Sequence, residues 1–446
     1  MTKKTKKQHD SVASDFAISL TDTEQTNPAA ADLLRLCAFL YPENIPEEIL
    51  KEGIKALDGH LKQIADDPTA WDETIQEAYK TQFLRYNPNR KIMTMNYSIQ
   101  TFLKQGMSGA EQRIWAEKAV QVMNQVFPEV EFSNWPQCQR LLRCAKTCAE
   151  HIIQWQLILK EAPELLSEVA CYLHERAQYA QARPLYERAL TIREQILGQT
   201  HPEVAESLND LASLYHIMGK YTQAKPLYER ALDIVEVALN NEPSESEKLH
   251  QRRATSLNNL GSLHKAQKLF EEAKPYYEKA LEVWENVLKK ENANLAATLN
   301  NLAGLYEAQG EYKIAKPMYE RALEIWNEAV EADHPNISAT INNLGGLYKL
   351  MGEDEKVQPL LEQALAIREQ ALGDHPDVAI SLNNLAEFYK SIEDYVQAKP
   401  MYERAIKILK QTFESKHPHI SMCVNNYEHL LSLMKKPQKR RTKRRK

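Results

Sequence analysis

Cys144, Cys148 and His151 recur at helical spacing, and Cys138 lies just before them. Zinc accepts three cysteines and a histidine, but its usual ligands come as two separated Cys-x₂₋₄-Cys-type pairs around a tetrahedral ion. One straight helix does not wrap four such positions, so these residues read as buried free thiols beside a histidine. A second set is the dipeptide His-Pro, at His201-Pro202, His334-Pro335, His375-Pro376 and His417-Pro418. These histidines do not converge on one ion, because they lie about a repeat apart and ligands must approach a metal to ~2 Å. They read as turn residues, with the proline opening a helix. The chain has no nucleophile elbow, paired-carboxylate signature, His-Glu-x₂-His or Gly-x₄-Gly-Lys-Ser/Thr loop. No catalytic residue, cofactor or metal is expected, and the chain does not read as an enzyme.

Binding chemistry remains, and internal repetition carries it. The segment Leu208-Asn-Asp-Leu-Ala-Ser-Leu-Tyr215 returns at 257–264, 299–306, 341–348 and 382–389. A second block, Pro184-Leu-Tyr-Glu-Arg-Ala-Leu190, returns with prolines at 226, 275, 317, 359 and 400. Those prolines are 42, 49, 42, 42 and 41 residues apart, and a seven-residue insertion near Asn241–Lys248 accounts for the 49. Leu208, Leu211, Ala212 and Tyr215 share one face of a first helix that ends at Gly219; Ala224, Tyr228, Ala231 and Leu232 share one face of a second. Small residues let the two helices approach, and the tyrosines fill the space between units. One pair cannot bury both its faces, so the units must stack. Pro226 is expected in the first turn of its helix, where no amide has an intrahelical acceptor.

The spacing large-x₂-Leu-Gly/Ala-x₂-Tyr, then Gly, then Ala-x₃-Tyr-x₂-Ala resembles the tetratricopeptide repeat, in the 42-residue form of kinesin light chains. The resemblance covers about residues 163–434. The first unit is degenerate in its first helix, the fifth has Asp354 and Leu361 where aromatics are usual, and a final helix with Val424-Asn-Asn-Tyr427 lacks its partner and reads as a cap. It implies an all-α, right-handed tetratricopeptide-repeat superhelix of six helix pairs plus a C-terminal cap, with the first helices lining a concave groove. By wheel position that groove receives Asn209, Ser213 and His216; Asn258, Ser262 and Lys265; Asn300, Gly304 and Glu307; Asn342, Gly346 and Lys349; and Asn383, Glu387 and Lys390. Neighbouring helices pack ~10 Å apart and an extended peptide rises ~3.3 Å per residue, so each Asn would meet every third ligand residue. A side-chain amide both donates and accepts, as a peptide bond does. The expectation is an asparagine ladder holding a peptide or partner protein by its backbone, with lysines and glutamates selecting its charge. Solvation, or ties between neighbouring repeats, is the alternative use of these asparagines.

Residues 27–107 show no repeat. A helix from Asn27 to Leu40, further helices at 46–57, 59–66 and 69–80, a hairpin of 81–86 and 91–95 across Asn87-Pro-Asn-Arg90, and a helix at 97–105 read as a small winged-helix-like domain with one β-hairpin. Helices at 109–126 and 135–159 form a connector over 108–162. Asn27–Tyr41, Pro46-Glu-Glu-Ile-Leu50 and the hairpin–helix resemble the winged-helix region of bacterial STAND (NB-ARC-like) signalling ATPases. Those proteins carry a nucleotide-binding domain before this region and often tetratricopeptide repeats after it. Here the phosphate loop is missing, and Asn96 stands where the family usually has a nucleotide-contacting His. The resemblance thus implies a chain that does not use ATP in the family's manner, with a separate nucleotide-binding chain as a second partner. The helix before the wing carries Asp72, Glu73 and Glu77 against Lys80 alone, which disfavours DNA.

The formal charge of −5 is uneven. Nine of the last twelve residues are basic and the first ten carry +3, leaving −17 on the body. Nucleic acid is therefore expected only at the basic tail, residues 435–446, which with segment 1–26 reads as disordered. No apolar run long enough to span a membrane occurs, and six scattered cysteines suit a reducing compartment, so a cytoplasmic protein is expected. The reading is a non-catalytic scaffold or sensor/adaptor binding a protein or peptide ligand. The alternatives are a nucleic-acid-associated adaptor acting through its tail, and an inactive remnant of a STAND ATPase.

Overall fold

The computed structural model describes residues 16–241, 246–289 and 291–435. The basic N-terminal residues, most of the insertion and the basic tail lie outside the described residues. The described residues form two compact units, one within Met1–Leu173 with Ala180–Gln199 and one within His174–Tyr179 with Thr200–Lys446.

The first unit starts with helix α1 over residues 16–26, inside the stretch expected to be disordered. Phe16 gives the reason: its ring meets Phe83 edge-on at 5.3 Å and Phe102 at 5.5 Å. Helix α2 (Pro28–Ala38) is capped by Asn27, whose side chain accepts from the Ala30 amide, and is buried along most of its length. The expected 46–57 helix is broken into α3 (Glu47–Lys51) and a 3₁₀ turn at Gly53–Ala56, followed by α4 (His60–Ile64) and α5 (Pro68–Lys80). A side chain at Gly53 would meet the Val122 side chain at 2.5 Å and its carbonyl at 2.8 Å, so glycine allows this close approach. The hairpin is β2 (Leu84–Asn87) with β3 (Ile92–Met95), and a third strand β1 (Ile45–Pro46), not expected from the sequence, pairs antiparallel with β3. Helices α6 (Tyr97–Gln105), α7 (Gly109–Val126) and α8 (Trp135–Gln154) follow. Asn96 caps α6, its side chain accepting from the Ser98 amide at 2.8 Å.

The first repeat pair, α9 (Glu161–Glu175) and α10 (Tyr179–Leu197), belongs mainly to this unit rather than to the repeats after it. The cause is local bonding. Glu168 accepts the Val130 amide at 2.8 Å, Tyr172 donates to Gln139 at 2.8 Å, and Lys146 donates to Gln181 at 2.7 Å.

The second unit holds five further pairs and a last helix. These are α11 (Pro202–Ile217) with α12 (Tyr221–Asn241), α13 (Ser246–Ala266) with α14 (Phe270–Glu282), and α15 (Ala293–Ala308) with α16 (Tyr312–Ala329). Then come α17 (Pro335–Met351) with α18 (Asp354–Leu372), α19 (Pro376–Ser391) with α20 (Tyr395–Thr412), and α21 (Pro418–Lys435). Each helix packs on the next, and successive first helices also touch one another, so the inner layer is continuous. Tyr228, Tyr277, Tyr319 and Tyr402 are wholly buried at the same repeat position, and Trp284 and Trp326 anchor a second apolar cluster.

The repeated prolines depart from expectation. Pro184, Pro226, Pro275, Pro317, Pro359 and Pro400 each occupy the sixth helical position, one turn further in than anticipated. Each removes one i→i−4 bond. All six are exposed, so water reaches the freed carbonyl and the helix continues.

Candidate functional site

The His-Pro histidines cap helices: Nδ1 of His201, His334, His375 and His417 accepts the amide two residues on, at 3.1 to 3.3 Å. Where His-Pro is lacking, Asn292 caps α15 instead, accepting from Leu295 at 3.0 Å. The α8 cluster diverges. Cys138 meets Asn134 Oδ1 at 3.3 Å, Cys144 the Asn44 carbonyl at 3.2 Å, Cys148 the Ala119 carbonyl at 3.4 Å, and His151 Nε2 the Phe39 carbonyl at 3.0 Å. Burial raises all three thiols, Cys144 to about 12, which keeps them protonated and inert. Among the described residues no group of three or more His, Cys, Asp or Glu could hold a metal ion, and no helix is long and apolar enough to cross a membrane.

The asparagines are not laid open as a row of free amides. Asn258 Oδ1 accepts from Asn301 at 3.1 Å, Asn300 Oδ1 from Asn343 at 3.1 Å, and Asn383 Oδ1 from Asn426 at 3.0 Å. In each case the second Asn of one first helix donates to the first Asn of the preceding one. Asn209 donates to Ser256 at 2.9 Å, and Asn383 donates to Asn384 at 3.3 Å. Asn209, Asn342 and Asn383 are buried to 7, 2 and 2% exposure. The acceptor oxygens of Asn209 and Asn342 have no partner, so the ladder is broken at those two places.

The charged positions further along the same helices are half-buried: His216, Lys265, Glu307, Lys349, Glu387 and Lys390. Lys265 crosses to the next helix, where a side chain on Gly304 would stand 2.3 Å from its Nζ, and donates to the Asn301 carbonyl at 3.4 Å. Burial brings its ammonium down to about 8, with Glu307 opposing. Burial raises Glu307, which accepts from the Tyr319 hydroxyl at 2.9 Å. Glu387 accepts from both Lys390 and Tyr402. Lys349 is lowered by burial and has no hydrogen-bond or ion-pair partner among the described residues; three residues before it, Gly346 faces open space.

Tyrosines of the second helices thus reach through the layer to the first-helix residues: Tyr277 to Ser262 at 3.0 Å, Tyr319 to Glu307, Tyr402 to Glu387. Sequence reading missed this role, treating the tyrosines as filling. The signal was present, since Ser262–Tyr277 and Glu387–Tyr402 share a fifteen-residue separation.

This is a helical-repeat solenoid with a polar row along its first helices, the architecture of a protein-interaction scaffold. A family model for the tetratricopeptide repeat matches residues 161–236, 252–328, 295–370 and 358–411, more than half of the sequence, and the chain belongs to that family. A model of a domain of unknown function (DUF7779) matches residues 21–112. Among solved structures the chain is similar to BtubC (BKLC) from P. vanneervenii, 28% identical over 55% of this chain and 94% of that one, with a TM-score of 0.37. It is similar to a putative kinesin light chain from Podosopora anserina with nearly identical TPR-like repeats, 25% identical over 48% and 98%, TM-score 0.36. It is also similar to a STAND protein with a tetratricopeptide repeat sensor from Pyrococcus horikoshii, 12% identical over 91% and 60%, TM-score 0.46. No curated protein matches the sequence.

Proposed function

We propose that this chain is a non-catalytic scaffold or sensor whose repeats hold an extended peptide or partner segment along the first helices. One observation carries the reading: ionisable side chains stand partly out of water along that row, and Lys349 stands there with no hydrogen-bond or ion-pair partner among the described residues, only Glu387 and Asp354 attracting it from further off. Desolvating a charge without pairing it costs free energy, and stacking of repeats requires no charge at these positions. A ligand carbonyl or carboxylate would supply the missing acceptor for Lys349 and a better one for Lys265, whose carbonyl partner is 3.4 Å away. The asparagines contribute chiefly by fixing the spacing of the helices, through bonds such as Asn301 to Asn258 and Asn343 to Asn300.

The test is selection of binders from a displayed library of random dodecapeptides on the full-length protein, followed by fluorescence anisotropy on variants. Hydrogen bonds to charged groups contribute about 1.5–3 kcal/mol, so Lys349→Met should weaken selected peptides by roughly tenfold or more. Lys265→Met should act in the same direction, with the helical circular-dichroism signal unchanged. Equal affinity for the double variant would move binding off these helices and overturn the reading.

A further inference from the structure

The second unit closes on itself far along the sequence. His417 Nε2 lies 2.8 Å from the Ile217 carbonyl at the end of α11. A Cβ on Gly219 would stand 3.3 Å from the Pro418 ring and 3.5 Å from that of His417. Lys220 Nζ is 3.4 Å from Glu414. Phe413 is held between two rings, stacked on His417 at 3.8 Å and on Tyr179 at 5.6 Å, with His419 edge-on at 6.4 Å. The 413–419 turn, which joins a second helix to the next first helix, therefore meets the turns that close α9 and α11, which join a first helix to its own second helix. Opposite edges of the array meet, a contact that stacking of neighbours does not create.

We propose that this aromatic–histidine contact is a latch holding the second unit closed, and that protonation of its histidines releases it. The chemistry lies in His417. Its Nδ1 accepts the His419 amide at 3.2 Å, capping α21, while Nε2–H donates to Ile217. That pattern needs the neutral ring, since a second proton on Nδ1 removes the cap acceptor. The groups around it work in the same direction. His174, Glu175 and Arg176 come from the first turn; His216 and Lys220 from the second; His375, Asp377 and Arg368 from the α18–α19 side; Glu414 and His419 from beside Phe413. Burial brings His174 and His216 down to about 4 and lowers His375, His417 and His419. His375 further lowers His174, and His419 further lowers His216, so like charges would face each other across the contact.

The sign follows. A histidine lowered in the closed form favours closure fully above its ordinary value near 6.5, and that support is lost as pH falls toward 4, by about tenfold per unit and per group. Glu175, raised to about 7 by burial and by Asp377, has the opposite sign: its protonated form favours closure, and that support fades as pH rises through 7. Five histidines outweigh one glutamate, so acid opens the latch.

The inference does not depend on the ligand reading, and its test uses the full-length protein without ligand. Hydrogen exchange, corrected for intrinsic rates, is compared at about pH 7.5 and about pH 5. Amides of residues 217–224 should exchange at least ~10-fold faster at the lower pH, whereas those of 309–315, at the equivalent turn after α15, should not change. Because 217–224 lie on the opposite side of the contact from the α21 cap, loss of that cap alone would not produce the effect. Phe413→Ala should expose 217–224 already at the higher pH. Should that variant lose α20 and α21, the wild-type comparison decides alone. Protection of 217–224 that does not change with pH overturns the proposal.

Discussion

At the scale of single residues, the asparagine pairs set the spacing of the first helices. Asn343 reaches Asn300, and Asn301 reaches Asn258, from one repeat to the one before. Asn343→Ala would leave the Asn300 oxygen unsatisfied in a half-buried place, at a cost of about 1–2 kcal/mol. Urea denaturation of the full chain should show a lower midpoint with an unchanged slope. An unchanged midpoint would mean the pair contributes nothing to stability. The sequence made these residues visible through their recurrence but not their bonding, because donor and acceptor are 43 residues apart and meet only when the repeats stack.

At the scale of elements, the glycines separate packing from open surface. A Cβ on Gly261 would lie 2.8 Å from the Tyr277 ring, and that ring is fully buried. Alanine gains up to ~1 kcal/mol of helix propensity over glycine, but moving a packed ring costs about 1–3 kcal/mol, so Gly261→Ala should destabilise. Gly346 has nothing within 4 Å of its Cβ position. There the propensity term acts alone, and Gly346→Ala should stabilise by up to ~1 kcal/mol. Thermal unfolding of the two variants, with opposite shifts expected, checks the assignment; shifts of the same sign would count against it. The sixth-position prolines follow the same logic, since their loss of a hydrogen bond is tolerated only because that face of each helix meets water.

At the scale of the whole molecule, acid should destabilise the chain before its carboxylates titrate. His151 is buried at 7% exposure, and burial, with Lys104 adding to it, lowers its pKa to about 4. Its Nε2 already meets the Phe39 carbonyl, and its Nδ1 is buried with no partner for a second proton. A depressed histidine contributes stability present above its unfolded value near 6.5 and lost as pH falls toward 4, roughly 3 kcal/mol in all. His151→Gln, which can still donate to Phe39, should flatten the fall in denaturation free energy between those values. A fall as steep as in the wild type would assign the acid sensitivity to other groups.

The repeat architecture was determined by the sequence alone, because a helical face recurring at near-constant spacing can be buried in few ways other than by stacking. The recurrence of the prolines, though not their depth in the helix, the Gly219 turn and most helices from 97 onward were legible for the same local reason. Only the tertiary structure decided what the recurring polar residues do. It bonded Asn258, Asn300 and Asn383 to asparagines of the following first helix, placed Tyr319 and Tyr402 behind Glu307 and Glu387, and joined α9 to α8 through Tyr172 and Gln139. It also brought His417 onto Ile217, 200 positions away. Helix formation depends on a few neighbouring residues and so is written locally. A hydrogen bond between turns of a solenoid depends on the summed rotation of every repeat between them, which no single segment of the sequence records.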